Sequence, residues 1–122
     1  MQTSKIKSIR PFIGAKDFDI SRQFYDDFGF DELPLGENMS YFHQESFGVY
    51  LQRAYVKDWV DNSMLFLEVE NVEDYLKYIQ SKNLCEKYEG VRVSQIVYND
   101  WGSEFFVHDP SGILWHIGSF KD

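Results

Sequence analysis

The sequence predicts an α+β chain made of two copies of one βαβββ unit, and three observations carry that expectation. Residues 101–117, WGSEFFVHDPSGILWHI, read as a strand, a tight turn and a second strand. Two earlier segments each run from a β-favouring stretch, through an Asp or Asn at a helix N-cap position, into an apolar helical face. Laid over each other at a shift of 54 residues, those segments place Phe12 on Phe66, Ile13 on Leu67, Ala15 on Val69, Asp17 on Asn71 and Phe24 on Tyr78. Strand, cap and helical face therefore recur together. Each half leaves one sheet face needing cover, and pairing the halves, within one chain or across two, encloses a cleft.

The closing hairpin has the clearest local chemistry. Asp109-Pro110-Ser111-Gly112 is a turn signal, because Pro110 presets φ and Gly112 tolerates a positive φ. Leu114 and His116 alternate with Ile113, Trp115 and Ile117, which defines two faces. Trp101 stands at the strand entry between Asp100 and Gly102. It reads either as a ligand platform or as a ring packed on the core edge.

In chain order, residues 1–7 are polar and expected to fray. Residues 9–15 read as a strand with Pro11 at its entry. Asp17 caps a helix whose apolar face is Ile20, Phe24 and Phe28 with Tyr25 beside them, and Gly29 ends it. Residues 30–33 form a short strand and 34–38 a loop. Two strands, 39–43 and 47–52, follow, joined by Gln44-Glu45-Ser46. Residues 53–62 show no period and read as a connector, with Trp59 pinned to the fold or facing a partner. A strand at 63–69 leads to Asn71 as cap, with Asp74 at the capping-box position and Tyr75, Leu76 and Ile79 as the helical face. Residues 84–88 suit a short strand and 91–98 a longer one before the hairpin. The chain is expected to be one domain over 1–122, with module one at about 8–53 and module two at about 63–118.

Composition narrows the function classes. At 122 residues, with 43% hydrophobic and 26% charged residues, the chain is long enough to bury a core and is not of a disordered composition. Its 18% aromatic content exceeds what a core of this size needs, so some rings are expected to line a pocket or a subunit contact. The net charge of −8 repels nucleic acid and anionic lipid and attracts cations. Cys85 is the only cysteine, which excludes an internal disulfide and a multi-cysteine zinc site, and it is expected to be a small buried apolar residue. No apolar run nears the roughly 18 residues of a membrane span, and the N-terminal stretch has no signal-type apolar region. A cytoplasmic location is the resulting expectation.

These residues resemble the vicinal oxygen chelate superfamily, which includes glyoxalase I, ring-cleaving dioxygenases and bleomycin resistance proteins. The likeness is nearest to the last group. Residues 61–66, DNSMLF, are similar to that group's DNTLAW segment, Trp101-Gly102-Ser103-Glu104-Phe105 to its WGREF motif, and Asp109-Pro110-Ser111-Gly112 to its DPxG turn. Phe24-Tyr25 through Gly29-Phe30 matches a helix ending found across the superfamily, and the likeness spans about 9–118. It implies the glyoxalase/bleomycin resistance fold, with paired βαβββ modules building cupped mixed sheets. It also implies a homodimer, with binding sites in the cups.

Metal-dependent members place four ligands, usually His and Glu, on facing strands. By motif these positions fall here on Arg10, Gln52, Met64 and His116. A guanidinium has no lone pair to give, a thioether is too soft for the ions concerned, and an amide is a poor ligand. One good donor in four does not hold a divalent metal, so neither metal nor cofactor is expected. His116 then reads as a satisfied strand histidine or as a polar anchor for a ligand. Glu68 and Glu70 lie two apart on a strand, and Glu68 shares its face with Phe66. That face is either solvated or a cup floor that draws a cation. No nucleophile elbow, phosphate loop or HExxH pattern is present.

Three functions remain open. The first is a bleomycin resistance type protein that sequesters a planar cationic small molecule, such as a glycopeptide antibiotic, without chemistry. By resemblance the drug's rings are clamped between Trp101 and a Phe whose place falls near Met39, while a fifth-strand Trp becomes Phe66 and a strand Ser becomes Gln52. The expected ligand-binding set is Trp101, Phe66, Met39, Gln52, Glu68, Tyr50, Glu104, Gly112 and His116, with no catalytic residue. The second is a divergent lyase, isomerase or dioxygenase with a relocated metal, using His116, Glu104 or Glu68. The third is a partner-binding module whose surface includes Tyr55 and Trp59.

Overall fold

Asp17 and Asn71 start the two main helices by the same local device. The Asp17 carboxylate accepts from the Ile20 N–H at 3.1 Å, and the Asn71 side chain accepts from the Asp74 N–H at 2.9 Å. The computed structural model, which describes residues 4–121, builds a βαβββ unit around each helix. The first comprises β1 (Phe12–Gly14), α1 (Phe18–Phe28), β2 (Asp31–Pro34), β3 (Met39–Gln44) and β4 (Phe47–Gln52). A short helix, α2 (Lys57–Asp61), links it to β5 (Met64–Glu68), α3 (Val72–Ser81), α4 (Leu84–Lys87), β6 (Arg92–Val93), β7 (Val97–Tyr98), β8 (Gly102–His108) and β9 (Leu114–Phe120).

The two sheets share one connectivity. The first runs β1-β4-β3-β2 and the second β5-β9-β8-β6, with β7 also on β8. In each, the opening strand pairs parallel with the closing one, and the other neighbours are antiparallel. Phe12 stands opposite Tyr50 and Phe66 opposite His116, which sets the equivalence between the sheets. The sheets are mixed and open, as the α+β expectation requires.

The shift of 54 is also kept in the helices, where Phe24, Tyr25, Phe28 and Ile79 are buried as expected but the matching buried pairs are Phe18 with Val72 and Tyr25 with Ile79 rather than Phe24 with Tyr78. The buried face of α1 is Phe18, Ser21, Phe24, Tyr25 and Phe28, and Ile20 is exposed. Val72 and Ile79 of α3 are buried at the places of Phe18 and Tyr25, whereas Tyr78, the counterpart of Phe24, is exposed. Helix α1 turns this way because Tyr25 is needed in the interior. Its hydroxyl donates to Asp109 at 2.6 Å and accepts from Trp115 Nε1 at 3.0 Å. Phe28, Phe30 and Tyr25 all pack their rings on Trp115, at 5.3, 5.8 and 5.9 Å. One core therefore joins the first unit's helix to the second unit's sheet and absorbs many of the rings counted as surplus.

Three segments differ from expectation. Residues 84–88 are not a strand: α4 forms there because Asn83, at φ 53°, reverses the chain and its carbonyl takes the Lys87 N–H. Residues 91–98 split into β6 and β7, because Ser94 turns both its N–H and its hydroxyl to Phe106 and interrupts the run. The connector holds α2, of which Val60 alone is buried. Cys85 is exposed rather than buried. The expected fraying of residues 1–3 lies outside the described residues, and 4–7 carry no helix or strand. Among the described residues no helix is long and apolar enough to cross a membrane.

Edge strand β2 is tied to α1 by Glu32, which takes Arg22 Nε at 2.6 Å and the Ser40 hydroxyl at 2.6 Å. Burial raises the Glu32 pKa, and the Arg22 and Ser40 hydrogen bonds together outweigh it, so the carboxyl sits below its ordinary value. A depressed carboxylate adds stability above its unfolded pKa and loses it as pH falls through the folded one. Urea melts from about pH 6 to about pH 3 should therefore show the stability gap between wild type and Glu32→Gln shrinking. The gap should stay under about 1 kcal/mol, because the pair is partly solvated.

Candidate functional site

Alternation along the second sheet sends Leu65, Leu67, Phe105, Val107, Trp115 and Ile117 into the core. The residues between them form an open face. Register places Phe66, His116 and Phe106 in one row, and Glu68, Gly118 and Glu104 in the next. Phe120 follows opposite Gly102, with Trp101 just before it. Trp101, Phe66 and Phe120 make a triangle of rings at 6.4 Å (Trp101–Phe66), 5.4 Å (Trp101–Phe120) and 5.5 Å (Phe66–Phe120). These rings remain 40%, 45% and 54% exposed respectively. Gly118 makes the geometry possible, since a Cβ there would stand 2.8 Å from Phe66 Cζ. A strand glycine of this kind marks a place where something must come close to the backbone.

One polar pair sits among these rings. His116 Nδ1 lies 3.0 Å from Glu104 Oε1. The imidazole is flanked by Phe106, edge-on at 5.0 Å, and by Phe66, nearly parallel at 6.4 Å. Its Nε2 is closed off from solvent and has no hydrogen-bond partner.

The first sheet also has an open face, with a different character. Phe12 stacks on Tyr50 at 4.8 Å, and Tyr41 lies 5.0 Å from Tyr50 and 4.9 Å from His43. Arg10 covers them, its Cζ 4.4 Å above the Tyr41 ring and its Nη1 donating to the Tyr50 hydroxyl at 3.1 Å. The Tyr41 hydroxyl is buried without a partner. Each open face thus carries one stranded polar atom.

Of the expected site residues, Trp101, Phe66, Glu104 and His116 come together. Tyr50, Gln52 and Met39 are gathered on the other sheet, where Met39 pairs with Gln52. Gly112, at φ 106°, holds the turn beyond the far end of β8 and β9, where its N–H donates to Asp109. It stands apart from the rings. Glu68 shares the outer face of β5 but also borders a cavity at the seam of the two units. Phe120, Phe106 and Gly118 were not expected. Phe120 lies four residues beyond His116 on the same face, so the alternation would have reached it had the strand been carried past Ile117.

Register also corrects the metal-type positions. The counterpart of His116 in the first sheet is Tyr50, not Gln52. The set becomes Arg10, Tyr50, Met64 and His116, and it does not fit a metal. The guanidinium is engaged by Tyr50, and the nearest imidazole nitrogen to a carboxylate is already bonded to it. No group of three or more His, Cys, Asp or Glu able to hold a metal gathers among the described residues.

The seam cavity encloses about 560 Å³ and is lined by Phe30, Phe47, Leu67, Glu68, Tyr75 and Tyr78 among others. It carries the Glu45 and Glu68 carboxylates, but its aromatic hydroxyls are already engaged. The Tyr75 hydroxyl already donates to the Phe28 carbonyl and the Tyr78 hydroxyl to that of Asp27. The ring face, with exposed aromatics and a polar atom lacking a partner, is the stronger candidate.

No family model matches the chain, and no curated protein sequence matches it significantly. Solved structures do. The chain is similar to a bleomycin-binding protein from bleomycin-producing Streptomyces verticillus, solved with copper(II)-bleomycin: TM-score 0.81 and 18% identity over 98% of this chain and 100% of that one. It is similar to an antibiotic-binding protein from Streptomyces sp. CB03234, with TM-score 0.75 and 17% identity over 99% of each chain. A glyoxalase/bleomycin resistance protein from Catenulispora acidiphila aligns with TM-score 0.74 and 15% identity over 93% of this chain and 98% of that one. At these identities the likeness establishes the fold, which is the glyoxalase/bleomycin resistance fold.

Proposed function

We propose that the chain is a small-molecule binding protein of the bleomycin resistance type, which holds a planar cationic ligand on the ring-lined face of the second sheet and sequesters it without metal-dependent chemistry. The observation that carries this is the Trp101–Phe66–Phe120 triangle, whose rings pack on one another yet keep their outer surfaces free beside Glu104 and Glu68. Aromatic faces attract flat rings and cations, and the carboxylates and the net charge of −8 favour a positive ligand. Glycopeptide antibiotics of the bleomycin kind are the proposed ligand class, supported by two fold neighbours that bind antibiotics.

A second copy of the chain is the proposed cover for the open faces. Both sheets leave large apolar side chains outside the core, and Trp59, 73% exposed, adjoins Phe12 and Gln52 around a small hollow. A homodimer would bring an open sheet of one copy over an open sheet of the other.

The test is a titration with metal-free and copper-loaded bleomycin, followed by tryptophan fluorescence. Saturable quenching at micromolar drug, abolished in Trp101→Phe, is the expected result. Emission that stays flat through that range would remove the antibiotic from the proposal. Emission that changes equally in Trp101→Phe would remove the ring face.

A further inference from the structure

The His116–Glu104 pair has a chemistry that ring stacking does not use. A carboxylate only accepts hydrogen bonds, so the Glu104 contact favours the tautomer in which His116 carries its proton on Nδ1. In that tautomer Nε2 carries the free lone pair, and this is the nitrogen that is buried and without a partner. A buried acceptor left unpaired is unfavourable, and a group that supplies a proton to it recovers that loss. The rings around it are unequally fixed. Phe106 lies in the neighbouring central strand, whereas Phe66 is half exposed and rests on the bare backbone of Gly118.

We propose that His116 Nε2 is the specificity point of the ring face, selecting planar ligands that carry an N–H or O–H donor in the plane of the ring, with Glu104 as the positioning residue that fixes the tautomer. This rests on the stacking reading above and narrows its ligand class. A ligand ring that settles on Trp101 and Phe120 displaces the Phe66 edge and brings its donor to Nε2. A flat cation of the same size without such a donor stacks equally well but leaves Nε2 buried and unpaired. Sites built around a hydrogen bond reject analogues that lack the partner more strongly than apolar pockets reject shape changes.

Two fused-ring cations of equal charge test this by calorimetry. Aminoacridinium, with its amino group on the central ring, offers N–H donors, and N-methylacridinium offers none. The wild-type protein should prefer aminoacridinium by about tenfold. In His116→Phe that ratio should collapse toward one. In Glu104→Gln, which no longer fixes the tautomer, it should fall several-fold while circular dichroism keeps the native spectrum. A wild-type ratio near one, or a ratio unmoved by either substitution, overturns the role of His116 and leaves stacking standing. Failure of both cations to bind overturns the stacking reading, and this inference with it. A wild-type ratio near one decides against His116 without either variant, and if one variant does not fold the other still assigns a wild-type preference to the pair.

Discussion

Asp109→Ala should lower stability by about 3–5 kcal/mol, the largest single-residue effect expected outside the apolar core. Asp109 is fully buried in the hairpin turn. Its Oδ1 accepts from the backbone N–H groups of Ser111, Gly112 and Ile113 at 2.9, 2.8 and 2.9 Å, and its Oδ2 takes the Tyr25 hydroxyl. Burial, and then the Asp109 charge, push the Tyr25 hydroxyl well above its ordinary pKa, so it remains a donor throughout the physiological range. Alanine would leave the Ser111 and Ile113 N–H groups and the Tyr25 hydroxyl without their acceptor and release the turn from α1, while the Gly112 N–H keeps the Asp109 carbonyl. Domains of this size have about 5–15 kcal/mol in total, so the variant should melt at far lower denaturant or not accumulate. Tyr25→Phe should cost about 1–2 kcal/mol, because it removes one hydrogen bond to Asp109 and one from Trp115. A double-mutant cycle in urea checks the coupling. Additive effects would mean that the hydroxyl and the carboxylate act independently.

Trp101→Ala should do the opposite: leave stability within about 1 kcal/mol and weaken ring-ligand binding on the order of 30-fold. Trp101 is half exposed and touches the fold through Phe66 and Phe120. Little of the folding free energy depends on it. A planar ligand laid against the triangle loses its widest wall when the indole goes, and tryptophan at the centre of a contact surface usually carries a large share of the affinity. Calorimetry against bleomycin and aminoacridinium, with a urea melt of the same preparation, measures both halves of this prediction. A variant that binds as wild type contradicts the site. One that binds poorly only because it is unfolded is recognised by the melt.

How far the sequence could be read depended on whether a feature is local. The caps at Asp17 and Asn71, the end of α1 at Gly29 and the 109–112 turn are each decided within four residues, and each stands where the residues point. The duplicated topology was legible because cap and strand recur at one offset. What escaped reading was set by distant partners. Ile20 looks as apolar as Phe18, and α1 turns it outward because Tyr25 must meet Asp109 from the other unit. Asn83 diverts residues 84–88 into a helical turn through one left-handed residue, which no periodicity announces. Register between β1 and β4 decides that Tyr50 rather than Gln52 matches His116, and register is a property of two strands together. The site divided along the same line. Trp101, Phe66, Glu104 and His116, on or beside β5, β8 and β9, are drawn together by the hairpin and one parallel pairing, while Met39, Gln52 and Tyr50 lie on the other sheet.

The most direct test of the account is a crystal structure of the protein with a planar aromatic cation bound. The account predicts the ligand plane against Trp101 and Phe120, its donor within hydrogen-bonding distance of His116 Nε2, and a second copy of the chain closing the face. A ligand lodged instead in the seam cavity between Phe47 and Tyr78, with the Trp101 rings bare, would contradict it.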